Sequence, residues 1–444
     1  MVNRKLSPVI AAVMAIVISF LLPACDGNTV AGGAGGGNTY QGAAPASIKI
    51  GIPTPISGNI SGYGKGSPYV QQLVVDKVNA QGGIYIKEYG RRIPIEIVVK
   101  DTQSDQNRAG QVAEKMVTDD HVTMLIAQHS AENTIPTIMV AERYGIPCVS
   151  NGCPTNLVKA VGPFKWTYHA FWDITDAITS YTGLWKQLGY GAGTRVGFLF
   201  PSDPDALAWI PVAYQISAQK GFSVANPGTY PIGNKDWTAT IDRFKRDYVR
   251  LILGSDIASD FSSFVTQSIQ QGFQPETVTM ARANIFPADV NALPMSVATG
   301  LTSEVWWAPS WPFKSSLDGT TCRELADKWM QYSNDDWYET IGDKYSAMEV
   351  CVDALKRAGS LNPSAIRDAL AATDLDTISG HIQYDQETHI GVTPVTVGQW
   401  FPKDAGHRVV VKIVYTGRFA DVQPEAVPFR PTQTWTLEQL PAGH

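Results

Sequence analysis

From residue 48 to residue 280, short apolar runs alternate with longer helical patterns. That alternation restricts the chain to parallel sheets covered by helices on both faces, an α/β class. The run Ile48-Lys49-Ile50-Gly51-Ile52 predicts a strand ending in Pro, Ser and Gly turn residues. Residues 67–80 predict a helix stopped by Gln81, Gly82 and Gly83. The pattern continues with a strand over 93–100, a helix over 105–119, a strand over 122–127, a helix over 133–144 closed by Gly145, and a strand over 146–150. After Trp166 the rhythm restarts. Helices are expected over 176–189, 204–221, 236–246 and 260–272, with strands over 195–200, 223–225, 251–253 and 277–280. Two doubly wound Rossmann-like units thus occupy about 48–165 and 170–300. Beyond them, helices are expected over 321–331, 345–358 and 363–371, then an antiparallel strand pair over 395–400 and 408–415.

The first residues follow another logic. Arg4 and Lys5 precede an apolar stretch from Val9 to Leu22, and Pro23, Ala24 and Cys25 follow it. A basic start, a short apolar run and small residues before a cut site make a secretory signal peptide over 1–24. The run is shorter than the ~18–20 apolar residues that cross a bilayer. Leu22, Ala24 and Cys25 resemble the bacterial lipoprotein signal, with Cys25 as the lipidated first mature residue. An ordinary secretion signal with a coincidental cysteine is the other reading. Residues 25–47 include Gly32, Gly33, Gly35, Gly36 and Gly37 without apolar periodicity, and are expected to form a flexible tether. Without residues 1–24 the chain keeps 33 basic against 41 acidic residues, a net charge of −8. The expected location is the periplasm or cell surface, lipid-anchored to the cytoplasmic membrane.

Export makes Cys148, Cys153, Cys322 and Cys351 candidates for disulfides, and four cysteines allow three pairings. Cys322, Leu325, Ala326 and Trp329 share one helix face, as do Met348, Cys351, Val352 and Leu355. Two such faces can pack and bond, leaving Cys148 with Cys153. Four buried thiols are the alternative.

Several chemistries are excluded. No Lys/Arg block gives the footprint of a nucleic-acid binder. The loop from Gly58 to Ser67 is glycine-rich after a strand, yet Asn59 stands where a phosphate loop needs its first Gly, and Gly66 follows Lys65 instead of Ser or Thr. Dinucleotide spacing fails in the same loop. Neither a nucleophile elbow nor a His-Glu-x-x-His motif occurs. His121 and His129 bracket a strand and do not pair as ligands. No catalysis, cofactor or metal is expected.

A family resemblance rests on the order of several motifs. They are Ile48–Ile52 with Ser57 and Gly58, the run Val78-Asn79-Ala80-Gln81-Gly82-Gly83-Ile84, Asp101 with Asp105, and Asp119-Asp120-His121-Val122. Ile146-Pro147-Cys148-Val149-Ser150, Tyr345 to Glu349, Thr377 to Gly380 and Gly398-Gln399-Trp400 continue the match. Over nearly all of 48–415 the chain resembles type I periplasmic binding proteins, in the leucine/isoleucine/valine-binding branch that feeds ABC importers. The resemblance implies two lobes joined by three crossovers that close on a small ligand. Lobe 1 would comprise 48–168 and 308–390, and lobe 2 would comprise 169–307 and 391–444. It further implies a monomer that captures a small polar or amphipathic molecule, such as an amino acid, and delivers it to importer permease subunits. A ligand-sensing subunit of an extracellular signalling system is the alternative function.

Ligands in open α/β sheets bind beyond the carboxyl ends of the strands. In lobe 1 the resemblance places Ser57 and Tyr63 in the first loop, Ser130, Ala131 and Glu132 before a helix near Thr134, and Cys153 and Thr155 after the fourth strand. Relatives hold a ligand carboxylate with hydroxyls and backbone N–H groups at two such helix starts. This chain departs from that pattern, because Ala131 and Glu132 replace small hydroxyl residues and Pro154 lacks an N–H. In lobe 2 the strand ends present Asp203, Asp256 and Arg282, with Asp256 suited to an ammonium and Arg282 to a carboxylate. Alternatively, Asp203 and Asp256 only cap helices and Arg282 pairs with one of them. Trp306, Trp307, Trp311 and Phe313 are expected at the second crossover, chiefly in lobe packing.

Overall fold

The computed structural model describes residues 43–403, 409–425, 427, 429–430, 432 and 434–437. The signal segment, Cys25 and most of the expected tether lie outside the described residues. Among the described residues no helix is long and apolar enough to cross a membrane.

Two sheets organise the body. The first runs β15 (Ile390–Val392), β7 (Thr167–Phe171), β6 (Cys148–Ser150), β5 (Met124–Ala127), β1 (Ile48–Thr54), β4 (Ile95–Asp101), all parallel. The second runs β17 (Val409–Tyr415), β16 (Thr396–Pro402), β12 (Thr302–Val305), β11 (Thr277–Ala281), β10 (Leu251–Ser255), β8 (Arg195–Leu199), β9 (Ser223–Ala225). Its first two pairings are antiparallel and the rest parallel. Two hairpins complete the strands: β2 (Ile84–Ile86) with β3 (Arg91–Ile93), and β13 (Asp374–Thr377) with β14 (Gly380–Gln383). Every residue of β5, β10 and β11 is buried, as expected of strands sandwiched between helix layers.

Helices α1 (Ser67–Ala80), α2 (Gln106–Thr118), α3 (Ser130–Tyr144) and α4 (Thr155–Lys159) belong to the first unit. The second holds α5 (Ile174–Gln187), α6 (Pro204–Gln219), α7 (Thr238–Arg246), α8 (Ala258–Gln270), α9 (Pro287–Asn291) and α10 (Met295–Ala298). Then α11 (Cys322–Ser333), α12 (Thr340–Ala358) and α13 (Pro363–Ala371) return to the first sheet, where α12 packs beside α1. Caps set several starts: Asp105, Asp173 and Asp203 each accept a first-turn N–H, and Thr321 with Glu324 forms a capping box.

The chain passes between sheets three times, after β7, after β12 and after β15. β7 runs to Phe171 and β15 to Val392, so the first sheet reaches slightly past the expected limits of 168 and 390. β7, β12 and β15 gave no clear signal because each is short and pairs with strands distant in sequence. Helix α3 begins at Ser130, earlier than expected, after His129 and Ser130 turn through positive φ (77° and 66°). At the first two crossings Trp172 and Trp306 lie 6.0 Å apart, centroid to centroid, with Phe171 within 5.6 Å of both.

The expected disulfides are not formed. All four described cysteines are free and buried. Cys322 Sγ donates to the carbonyls of Phe313 and Ile378, so its helix face turns toward the crossover and not to Cys351. Burial holds the Cys148 and Cys351 thiols well above their ordinary pKa. Cys148 sits inside β6 while Cys153 lies in the following turn with Sγ toward its neighbour's carbonyl.

Candidate functional site

The carboxyl ends of both sheets face one cleft. A cavity of about 470 Å³ opens there, lined by Asn59 to Tyr63 from the first unit and by Asp256 to Ser259, Arg282 and Phe286 from the second. The units meet at its rim, where the Tyr63 and Phe286 rings lie 5.0 Å apart and Phe286 is 5.6 Å from Tyr338. Gly62 makes this approach possible: a Cβ there would stand 2.9 Å from the Phe286 ring.

Deeper in, Tyr63, Ser130 and Arg282 also border a chamber of only about 20 Å³, roughly the room one water needs. Its walls include Trp172, Trp209, Asp205, Glu304, Asp343 and Lys344. Each cation here carries its own acid. Arg282 donates Nη1 and Nη2 to Asp203 at 3.2 and 2.8 Å, and its Nε lies 3.7 Å from Asp205. Lys344 Nζ lies 2.6 Å from Asp343 Oδ2, and both side chains are buried. Burial, with Glu132 and Asp203 behind it and Arg282 opposing, lifts the Asp205 carboxyl to about 6. Burial raises Glu304 to about 7 although the Tyr181 hydroxyl donates to it at 2.7 Å. Burial lowers Lys344 against the pull of Asp343.

The sequence-predicted residues divide into three groups. Tyr63, Ser130, Asp256 and Arg282 line the cavity. Ser57 instead holds its loop, donating Oγ to Asp101 at 2.7 Å. Ala131 and Cys153 are buried, Glu132 accepts from Ser130 at 2.6 Å, and Thr155 Oγ1 donates to the Phe171 and Trp172 carbonyls at 3.0 Å. None of these five borders either cavity.

Asp203 stands behind Arg282 and caps α6 through Ala206 N at 2.9 Å. Of the two readings left open for Arg282, the structure matches the one in which it pairs with an acid, because Asp203 claims its fork and leaves it not free for a carboxylate. One amide at each of the two helix starts implied for a ligand carboxylate is spent: Ser130 N donates to Gly152 O at 2.8 Å and Thr155 N to Trp172 O at 3.0 Å. Lys344 closes that corner, since a Cβ on Gly152 would meet Nζ at 2.5 Å.

Sequence reasoning missed Asp205, Glu304, Asp343 and Lys344. Asp205 follows a strand end two residues after Asp203, which was a usable signal. Asp343 and Lys344 precede the helix expected from 345, whereas α12 starts at Thr340 and buries both.

Two largely parallel sheets with the carboxyl ends of their parallel strands on a shared, two-sided pocket define a bilobal ligand-enclosing protein. The periplasmic binding protein family model matches residues 47–406, and the chain belongs to that family. It is 21% identical over 367 residues to a leucine-, isoleucine-, valine-, threonine- and alanine-binding protein of Pseudomonas aeruginosa, covering 81% of this chain and 91% of that one. The fold is similar to the crystal structure of a leucine-binding protein from Thermotoga maritima (TM-score 0.69, 17% identity, 83% of this chain, 99% of that one). It is also similar to a solute-binding protein of an ABC transporter from Rhodopseudomonas palustris in complex with 3,4-dihydroxybenzoic acid (TM-score 0.68, 14% identity, 86% and 99%). Its homologues are substrate-binding proteins and not enzymes.

Proposed function

We propose that this chain is an exported, lipid-anchored solute-binding protein that captures a small polar or amphipathic organic molecule between its lobes and presents it to an ABC importer. One observation carries the reading: a single cavity of about 470 Å³ takes its walls from both sheets, through Tyr63 on one side and Arg282 and Phe286 on the other. A ligand touching both walls favours the closed arrangement over the open one, which is the signal a transporter can read. The name of one relative, with five amino acids in it, and the dihydroxybenzoate bound by another support a small organic ligand without fixing its type. Cys25 serves as the anchor in this reading, with the Gly-rich segment as the leash.

Thermal shift of the purified protein against amino acids, amides, amines, aromatic acids and polyols tests the binding step, because a ligand of the folded state stabilises it by RT ln(1 + [L]/Kd). A hit whose effect is lost when Tyr63 or Phe286 is truncated supports the proposal. Stabilisation unaffected by both truncations places the ligand elsewhere and refutes it. Cys25→Ser should leave the precursor uncleaved or shift the protein to the soluble fraction; an unlipidated mature N-terminus in mass spectrometry removes the anchor.

A further inference from the structure

The loop from Asn334 to Glu339 joins α11 to α12 and rides with the first unit, because α12 packs beside α1. It nevertheless grips the second unit at two separate points. Asp336 Oδ1 forms an ion pair with Lys403 Nζ, which directly follows β16 of the second sheet. The two side chains are 14% and 28% exposed, so the pair is only partly open to solvent. Two residues on, the Tyr338 ring meets the Phe286 ring of the second unit nearly edge-on at 5.6 Å. Lys403 and Phe286 lie far apart in sequence, so one short loop reaches two remote segments of the same unit.

The loop is shaped before it reaches across. Asn334 ends α11 in the left-handed region, at φ 55°. Ser333 Oγ accepts from Asp335 N at 3.1 Å, and Asp335 Oδ1 accepts from Asp336 N at 2.9 Å. Trp329 Nε1 donates to Asp336 O at 3.0 Å, which fixes the backbone that carries the Asp336 carboxylate. Asp335 Oδ2 pairs with Lys65 at 2.6 Å and ties the loop to the segment that bears Tyr63. Asp335 and Tyr338 also line the cavity. A carboxylate held this way gives up little conformational freedom on meeting its partner, so more of the attraction is left to join the units.

Every group in these contacts belongs to the chain itself. They therefore favour the closed arrangement with or without a ligand, and a ligand adds to them. The two kinds of contact differ in one measurable way. Salt screens a partly exposed ion pair and leaves ring packing nearly unaffected.

We infer that the 334–339 loop is a strap, whose Asp336–Lys403 ion pair draws the two units together and makes closure stronger at low ionic strength. This goes beyond the solute-binding reading: it rests on the closing of the two units and needs no ligand to be identified.

Hydrogen exchange by mass spectrometry and small-angle scattering of the full mature chain test the strap without a ligand. In the parent, raising salt from about 20 mM to about 500 mM should enlarge the radius of gyration. It should also speed exchange at 59–65 and at Phe286 with α9, which border the cavity from opposite sides. Asp336→Lys and Lys403→Asp should each produce that state at low salt, with exchange in both segments roughly threefold faster or more. In these single variants the salt response should vanish or reverse. The double variant Asp336→Lys/Lys403→Asp restores the pair with its charges exchanged and should recover the parent's exchange and salt response. Exchange in β5 should stay as in the parent, which separates opening of the units from general destabilisation.

Single variants that leave both segments exchanging at the parent's rate overturn the inference, as does a double variant no better than the singles. An acceleration confined to α11 and its loop also overturns it, since the pair would then only brace the first unit. A salt response of the same sign and size in the parent and in Asp336→Lys overturns it equally. None of these results touches the solute-binding reading, which the ligand screen decides separately.

Discussion

Arg282→Met removes the cation that lies between Asp203 and Asp205. The guanidinium side chain is 11% exposed, with two hydrogen bonds to Asp203 and a third, at 3.3 Å, to Ser255 O. Methionine keeps most of the side-chain length and deletes the charge. Asp203, Asp205 and Glu304 then face one another with no cation between them. Breaking a buried pair by removing one partner costs about 3–5 kcal/mol. Asp203 keeps its bond from Ala206 N, so the expected loss is at the low end, about 3 kcal/mol at pH 7.

The pH dependence has a definite sign. The Asp205 carboxyl is raised from 3.8 to about 6, so its contribution is fully present below 3.8 and is lost as pH rises through 6. Arg282 opposes that rise, and its removal pushes Asp205 higher still. The deficit of Arg282→Met should therefore be largest near neutral pH and shrink toward about pH 5. Urea unfolding across this range measures it, and adding Asp203→Asn should recover a substantial part. A loss below about 1 kcal/mol at pH 7, or a deficit that does not shrink on acidification, would refute the argument.

Gly62→Val places a branched side chain where even a Cβ meets the Phe286 ring at 2.9 Å. It should hold the lobes apart, lowering affinity for any cleft ligand roughly tenfold while changing stability little; unchanged affinity and unchanged small-angle scattering would count against it. The four body cysteines should titrate as free thiols only after unfolding, with no shift in melting temperature on adding reductant, and a band shift on non-reducing gels would contradict the structure. Phe286→Ala should weaken a ligand with an aromatic body more than one without, since it strips the rim; equal losses would place the body of the ligand elsewhere.

Much of the architecture was legible from periodicity alone. The predicted bounds of α1, α13 and β9 coincide with the observed Ser67–Ala80, Pro363–Ala371 and Ser223–Ala225, because strong stops and an unbroken pattern frame each one. The antiparallel pair β16 and β17 was likewise visible in its run of valines and aromatics. The amino-acid order thus determined the α/β class and the strand ends that reach a cleft. It also placed Tyr63, Ser130, Asp256 and Arg282 among the candidates for its wall.

Pairing across the fold decided the rest. Whether Arg282 greets a ligand or an internal acid depends on Asp203, 79 residues away, lying 2.8 Å from it. Whether the Ser130 and Thr155 amides are free depends on the carbonyls of Gly152 and Trp172 closing over them. Asp343 and Lys344 fall before the expected helix and lie buried because α12 begins a turn and a half earlier than its apolar pattern suggests. Local pattern fixes which backbone segments a residue can join, since that depends on near neighbours. The charge balance of a buried site depends on distances between segments remote in sequence, and only the folded chain sets those.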